Sequence, residues 1–315
     1  MRKYRGILAV SVILALFIVP VLIAQVTKPE GRRFRGVALE ETQFTEIRFW
    51  NSAQDIDLSG MLFAPSGEGP FTAVVIIHGS GTSMRNNAWY LTLAQYLQEK
   101  GVAVLLPDKR GSEKSAGDWR SAGFEDLATD TLAAIQYLKD QETVAISEIG
   151  VIGMSQGGWI APIVASRSPD VAFLVSFVGA AVTPQQQLVY EENLNLRQMG
   201  FLPGISNVVA FMSTAYIKNV GQKEFWDAIE GFDPLPYWKQ VTVETLVLYG
   251  RDDTNVPSAD SAEILRELNN PRIKVRIYEG SGHALADPIE LGDSIIRDDV
   301  LEDIREFMRV VAEHP

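Results

Sequence analysis

Gly153, Ser155 and Gly157 form a GxSxG pattern that follows the short apolar run Ile149 to Ile152 and precedes a helix-compatible stretch from Trp159 to Ala165. A serine placed this way sits on a strand-to-helix turn, where glycines two before and two after it remove Cβ atoms that would clash with the backbone. The chemistry such a turn permits is nucleophilic attack on an acyl carbon. Three fixed positions recur by chance in roughly one chain in ten of this length, so the pattern counts only with partners. A serine hydroxyl is a weak nucleophile until a base takes its proton, and that base must be oriented by a third group.

Three histidines make the base a matter of elimination. His314 is the penultimate residue and is expected to be a solvated tail residue. His78 ends the apolar run Ala73 to Ile77 and opens the turn His78, Gly79, Ser80, Gly81 upstream of the serine. His283 lies between Gly282 and Ala284, just after the β-like run Ile273 to Tyr278, on a loop from which an imidazole can reach a serine on another strand. The orienting acid is expected at a strand end between the two, because the chain order for this kind of turn is Ser, Asp or Glu, His. The run Thr245 to Tyr249 is such a strand, and it leads into adjacent aspartates. Asp253 is the candidate acid, with Asp252 the alternative, read as a solvated turn or helix-entry residue. Gly79 and Gly81 let the backbone after His78 approach an oxyanion, so the N–H groups of Ser80 and Gln156 are the candidate oxyanion hole, with Gly81 the substitute for Ser80.

These segments together resemble the α/β-hydrolase superfamily, and within it bacterial esterases and serine aminopeptidase-like hydrolases. Those proteins combine an HGSG turn, an Asp-Lys-Arg-Gly loop and a GxSxGG elbow, here His78 to Gly81, Asp108 to Gly111 and Gly153 to Gly158. A GxxDxxVP segment is matched by Gly250, Asp253, Val256 and Pro257, which selects Asp253 over Asp252, and a Gly-His pair by Gly282 and His283. The likeness spans residues 40 to 312. One departure is Glu113, which stands where relatives carry the second glycine of Gly-x-Gly-Lys-Ser and puts the shape of that loop in question. The resemblance implies an α/β fold with a mostly parallel eight-stranded sheet, helices on both faces and a helical cap insertion. It also implies hydrolysis of carboxylic esters through an acyl-enzyme, with Ser155 as nucleophile, His283 as base, Asp253 as orienter, and no metal or organic cofactor. A peptidase or aminopeptidase and a thioesterase or acyltransferase use the same triad and are the alternatives, with a non-catalytic membrane-associated binding protein behind them. An aminopeptidase needs acids near the site to hold an N-terminus, for which the cap offers Glu191 and Glu192.

The elements that must position these residues follow from hydrophobic periodicity. Phe44 to Trp50 and Ile56 to Phe63 alternate in period two and predict an antiparallel hairpin. Ala73 to Ile77, Val102 to Leu106, Ile149 to Ile152 and Val171 to Val178 are short apolar runs separated by helical patterns over Ala88 to Lys100, Phe124 to Lys139 and Trp159 to Ser166. Such alternation predicts a parallel sheet covered on both faces, with ligands bound at the carboxyl ends of the strands, where Ser80, Ser155, Asp253 and His283 all fall. Residues 183 to 231 read as helices of a cap at about 180–240, and their apolar residues Leu188, Leu194, Leu196, Phe211, Met212, Tyr216, Phe225 and Trp226 are read as internal packing. Asp233 to Trp238 is expected to close the cap as a rigid turn. Asp126 and Asp130 are read as helix-dipole residues, and Asp108, Lys109 and Arg110 as a loop-bracing ion pair.

A net charge of −12 with no basic cluster in the body excludes nucleic acid as an expected partner and leaves a small-molecule acyl substrate. The absence of cysteine excludes a disulfide framework, a thiolate metal site and a cysteine nucleophile. At the start, Arg2, Lys3 and Arg5 precede the run Ile7 to Ala24, 18 residues with Ser11 the one polar member, about 27 Å long if helical. Residues 1–35 are therefore expected to be a membrane anchor or signal peptide plus linker, and residues 36–315 the hydrolase domain. Leu22 suits the small-residue position before Ala24 poorly, which favours an uncleaved anchor through residues 7–24. The expected location is the cell envelope, anchored or exported, with the oligomeric state left open.

Overall fold

Runs of β-branched residues without polar interruption are stable only when covered on both faces, and here they form the interior of one sheet. The computed structural model describes residues 32–313 and, before them, Val19, Leu22 and Ile23; most of the run Ile7 to Ala24 and His314 lie outside the described residues. The strands are β1 (Thr45–Asn51), β2 (Ile56–Phe63), β3 (Phe71–Ile77), β4 (Ala103–Pro107), β5 (Ile146–Met154), β6 (Val171–Phe177), β7 (Glu244–Gly250) and β8 (Ile273–Tyr278). Their spatial order is β1-β2-β4-β3-β5-β6-β7-β8. The pairs β1/β2 and β2/β4 are antiparallel, and every pair from β4 to β8 is parallel. After β3 the chain steps outward to β4, then returns to β5 on the other side. The carboxyl ends of β3 and β5 thus flank a topological switch point, where open α/β sheets bind ligands.

Side chains alternate across the sheet into two cores. One face carries Val75, Val151 and Val247 against α2 (Phe124–Asp140), α3 (Gly157–Arg167) and α8 (Ser258–Glu267). The other carries Val74, Ile152 and Leu248 against α1 (Ala88–Glu99) and α9 (Asp298–Glu313). In α9 the buried residues Val300, Leu301, Ile304, Phe307, Met308 and Val311 recur at helical spacing, which is why a polar terminal segment folds back onto the sheet.

Between β6 and β7 lie the insertion helices α4 (Pro184–Gln198), α5 (Pro203–Tyr216), a π turn (Ile217–Gly221), α6 (Lys223–Ala228) and α7 (Leu235–Trp238). Thr183 and Gln186 close a capping box on α4, with Pro184 in its first turn. The segment read as a rigid turn contains α7, whose Trp238 is fully buried. The packing expected of the apolar cap residues needs correction: Phe211, Met212 and Tyr216 are 71%, 65% and 62% exposed. The buried residues of α5 are the small Ser206, Ala210 and Thr214, one per turn, with the Ser206 hydroxyl donating to Asn193 Oδ1 on α4 at 2.7 Å. A small-residue seam lets the two helices approach closely and turns the bulky residues of α5 outward. Among the described residues no helix is long and apolar enough to cross a membrane.

Candidate active site

β5 ends at Met154 and α3 starts at Gly157, so Ser155 occupies the bend between them. Its φ is +53°, a left-handed conformation that costs a non-glycine residue on the order of 1–3 kcal/mol. A Cβ on Gly153 would stand 2.3 Å from Gly157 O, and one on Gly157 would stand 2.2 Å from Ile77 O. Both positions therefore require glycine, Gly153 because it faces Gly157 across the turn and Gly157 because the bend is pressed against the end of β3. The Ser155 N–H donates to Phe177 O at 2.9 Å, which pins the turn to β6.

Adjacent strands β7 and β8 bring the other two residues together. His283 Nε2 lies 2.9 Å from Ser155 Oγ, and His283 Nδ1 lies 2.9 Å from Asp253 Oδ2. The Asp253 side chain is fully buried, and its Oδ1 accepts the N–H groups of Asn255 at 2.8 Å and Val256 at 2.9 Å. One carboxylate oxygen thus builds the loop while the other faces the imidazole. Asp252 is exposed and takes no part in this chain of hydrogen bonds. Trp89, at the first turn of α1, stands 5.9 Å from the His283 ring and donates its indole N–H to Ala284 O at 3.0 Å. Sequence reasoning missed Trp89, since an aromatic residue opening an amphipathic helix carries no sign of what it covers.

Ser80 and Gln156 line the same cavity as Ser155, about 270 Å³ in volume. Among the described residues no acceptor takes up the N–H of Ser80 or of Gln156, whereas the Gly79 N–H is committed to Tyr90 Oη at 2.9 Å. Two uncommitted donors beside a serine hydroxyl match the need of a tetrahedral oxyanion.

Comparison with known proteins identifies the superfamily to which this fold belongs. The family model of BAAT / acyl-CoA thioester hydrolase C terminal matches residues 132–290, half of the chain, and that of the dienelactone hydrolase family matches residues 58–202. The chain belongs to the α/β-hydrolase superfamily. It is similar to esterase EstD of Thermotoga maritima, 26% identical over 243 residues, 72% of this chain and 58% of that protein. It is also similar to dipeptidyl aminopeptidase BIII of Pseudoxanthomonas mexicana, 25% identical over 232 residues, 70% of this chain and 31% of that protein. The chain therefore spans less than two thirds of the length of these relatives. Among solved structures, an esterase of Pyrococcus furiosus superposes with a TM-score of 0.64 at 19% identity, covering 89% of this chain and 96% of the other. Est1E of Butyrivibrio proteoclasticus superposes at 0.60 and 21% identity, covering 85% and 99%. At such identities the structural likeness carries the fold alone.

The remaining polar residues of this α/β-hydrolase sort by what they touch. Glu113 has φ +49°, so the loop keeps a left-handed bend where the resemblance led one to expect glycine, and its Oε1 accepts the Arg85 main-chain N–H at 3.0 Å. The ion pair expected within Asp108, Lys109 and Arg110 is instead two pairs to other elements. Arg85 donates to both oxygens of Asp108, at 2.8 and 2.7 Å, and Arg110 donates to both oxygens of Asp130, at 2.7 and 2.8 Å. Asp130 is thus the acceptor of a bidentate guanidinium rather than a helix-dipole residue. Asp126 sits in the first turn as expected, accepting the Gly123 N–H at 3.0 Å. Lys109 is buried and turned toward the site. Among the described residues no group of three or more His, Asp or Glu stands ready to hold a metal ion.

His78 is structural. Its Nε2–H donates to Pro107 O at 2.6 Å, and its buried Nδ1 has no hydrogen-bond partner among the described residues. Burial holds the imidazole neutral and pushes it down to about 4, from an ordinary 6.5. Between those values the unfolded chain binds a proton that the folded chain refuses, so stability is fully present above pH 6.5 and lost as pH falls toward 4, by on the order of 3 kcal/mol. His78→Gln is accordingly expected to flatten the fall of Tm between pH 6.5 and 5 in calorimetry; a slope unchanged from the parent would refute the assignment.

The cap is tied to the acid loop. Tyr190 Oη donates to Asp253 O at 2.7 Å, and Asn255 Nδ2 donates to Glu191 Oε1 at 2.9 Å. Glu191 and Glu192 line the cavity with Leu188, Ile217 and Phe225, so the cap contributes both an apolar wall and a pair of acids. Burial, the largest influence, pushes the Glu191 carboxyl up, and the bond from Asn255 opposes it.

Proposed function

We propose that the chain hydrolyses short carboxylic esters by two-step acyl transfer. The observation that carries this reading is the unbroken line Asp253–His283–Ser155, which ends in a cavity holding two uncommitted N–H donors. Ser155 Oγ attacks the ester carbonyl carbon while His283 Nε2 takes its proton, and the carbonyl π pair moves onto the oxygen held by the N–H groups of Ser80 and Gln156. Collapse of that intermediate breaks the bond to the alcohol, which leaves with the proton from His283. Water, deprotonated by His283, repeats the attack on the acyl-enzyme and releases the acid. Asp253 holds the imidazole in the required tautomer and stabilises the imidazolium. No step needs a metal or organic cofactor. At about 270 Å³ the cavity stands at the small end of ligand sites, which suits short acyl groups. A panel of p-nitrophenyl esters, acyl thioesters and aminoacyl amides tests the reading: acetate and butyrate esters are expected to turn over fastest, and a fluorophosphonate probe to label the protein at Ser155. Preference for a thioester, or a protein the probe does not label, would overturn it.

A second reading is favoured by the position of Glu191 and Glu192. Two acids facing the same cavity as Ser155 suit a substrate with an ammonium near the scissile carbonyl, an α-aminoacyl ester or amide. Glu191→Gln separates the two. If the substrate carries an ammonium, KM for an alanyl ester rises about tenfold while KM for the acetyl ester stays put; equal effects on both esters leave the simple ester as the substrate.

A further inference from the structure

Among the described residues Lys109 has no partner of opposite charge. It is 7% exposed, and the acids and bases beside it in the loop, Asp108 and Arg110, are taken up by Arg85 and Asp130. Among the described residues no carboxylate lies within ion-pair distance of Lys109 Nζ. A charge buried on these terms is costly, and burial alone pulls the Lys109 ammonium down to about 7. A lysine that merely braced the loop would gain from an acid; this one faces two neutral acceptors. Its Nζ donates to Gly79 O at 2.8 Å and to Gln156 Oε1 at 2.8 Å, and rests 5.3 Å from the centroid of the Trp119 ring.

Both acceptors belong to the segments that carry the uncommitted donors beside Ser155. The Gly79 carbonyl and the Ser80 N–H are the two ends of one peptide plane. A hydrogen bond to the carbonyl fixes the tilt of that plane and draws electron density toward the oxygen, which strengthens the N–H at its other end. The preceding peptide is held as well, by the bond from the Gly79 N–H to Tyr90 Oη at 2.9 Å. On the other side of the site, the tether to the Gln156 side chain holds the residue that immediately precedes α3 and carries the Gln156 N–H.

We propose that Lys109 is the positioning residue of the oxyanion hole: its Nζ couples Gly79 to Gln156 and so fixes the N–H groups of Ser80 and Gln156 in the geometry that receives the anionic oxygen. The inference rests on the acyl-transfer reading of Ser155. It concerns the tetrahedral intermediate more than the bound ester, because the donors gain most when charge develops on the oxygen.

The test is Lys109→Met, which keeps an unbranched apolar stem one atom shorter and removes the donor. Turnover of p-nitrophenyl acetate is expected to fall about 10- to 100-fold with KM within about threefold of the parent. Inhibition by an alkyl boronic acid, whose tetrahedral adduct on Ser155 places an oxygen in the hole, is expected to weaken in the same proportion as kcat/KM. Gln156→Met removes one of the two tethers while keeping the backbone donor, and is expected to lose about 3- to 10-fold in both readouts. A folded Lys109→Met protein with parental kcat and boronate affinity overturns the proposal; if that variant does not fold, unchanged values in Gln156→Met do the same. Fluorophosphonate labelling separates this from the reading beneath it. Slow but complete labelling of Lys109→Met supports the role, and parental labelling speed overturns it while leaving the triad in place. Turnover that survives Ser155→Ala overturns both.

Discussion

Ser155→Ala is expected to lower kcat for p-nitrophenyl acetate by about 10⁴- to 10⁶-fold, with Tm within a degree or two of the parent (about 0.5 kcal/mol or less). The loss is large because the acyl-enzyme route disappears and only the oxyanion donors and substrate binding remain. The fold is expected to survive because the main-chain bond from Ser155 N–H to Phe177 O does not involve the hydroxyl, and alanine meets the same left-handed penalty at φ +53° as serine. Steady-state kinetics with near-ultraviolet circular dichroism checks both halves. Retention of more than about a hundredth of the parental rate would remove Ser155 from the mechanism.

Asp253→Asn is expected to be nearly as damaging, lowering kcat by about 10⁴-fold. The reason is a proton rather than a charge alone. Asparagine keeps an oxygen for the N–H groups of Asn255 and Val256, so the loop persists, but this directs its NH₂ at His283 Nδ1. An imidazole that accepts at Nδ1 carries its proton on Nε2 and then points N–H, not a lone pair, at Ser155 Oγ. The base is present in the wrong tautomer. Asp252→Asn is the control, since that exposed side chain faces solvent, and it is expected to stay within about twofold of the parent. Equal losses in the two variants would falsify the role given to Asp253.

How much of this was legible beforehand can be judged from particular residues. The eight strands and the helices α1, α2 and α3 follow from periodicity, because central parallel strands covered on both faces are uninterrupted apolar runs, while the hairpin strand Ile56–Phe63 and the edge strand Ile273–Tyr278 carry polar residues within the run. The cap was legible as helical but not in its packing. Nothing in the order of its residues says that Ser206, Ala210 and Thr214 would form the buried seam and leave Phe211 and Met212 outside, because which stripe of a helix is covered depends on its neighbour. The role of Asp130 is hidden for a related reason: its partner Arg110 lies in a preceding loop and becomes adjacent only after α2 packs beside it. Glu113 shows the converse, a residue that departs from the glycine the resemblance led one to expect, while the backbone keeps a left-handed bend.

The sequence by itself singled out the residues proposed to react and their order along the chain. Glycines around Ser155, a GxxDxxVP segment and a Gly-His pair are local requirements of tight turns at strand ends, and local requirements are written in consecutive residues. Only the tertiary structure decided how those atoms are served. It brought His283 Nε2 to 2.9 Å from Ser155, bound the cap to the acid loop through Tyr190, turned Glu191 and Glu192 into the cavity, and left Lys109 Nζ facing Gly79 and Gln156. These are contacts between segments far apart in sequence, set by sheet order and helix packing rather than by neighbouring residue types.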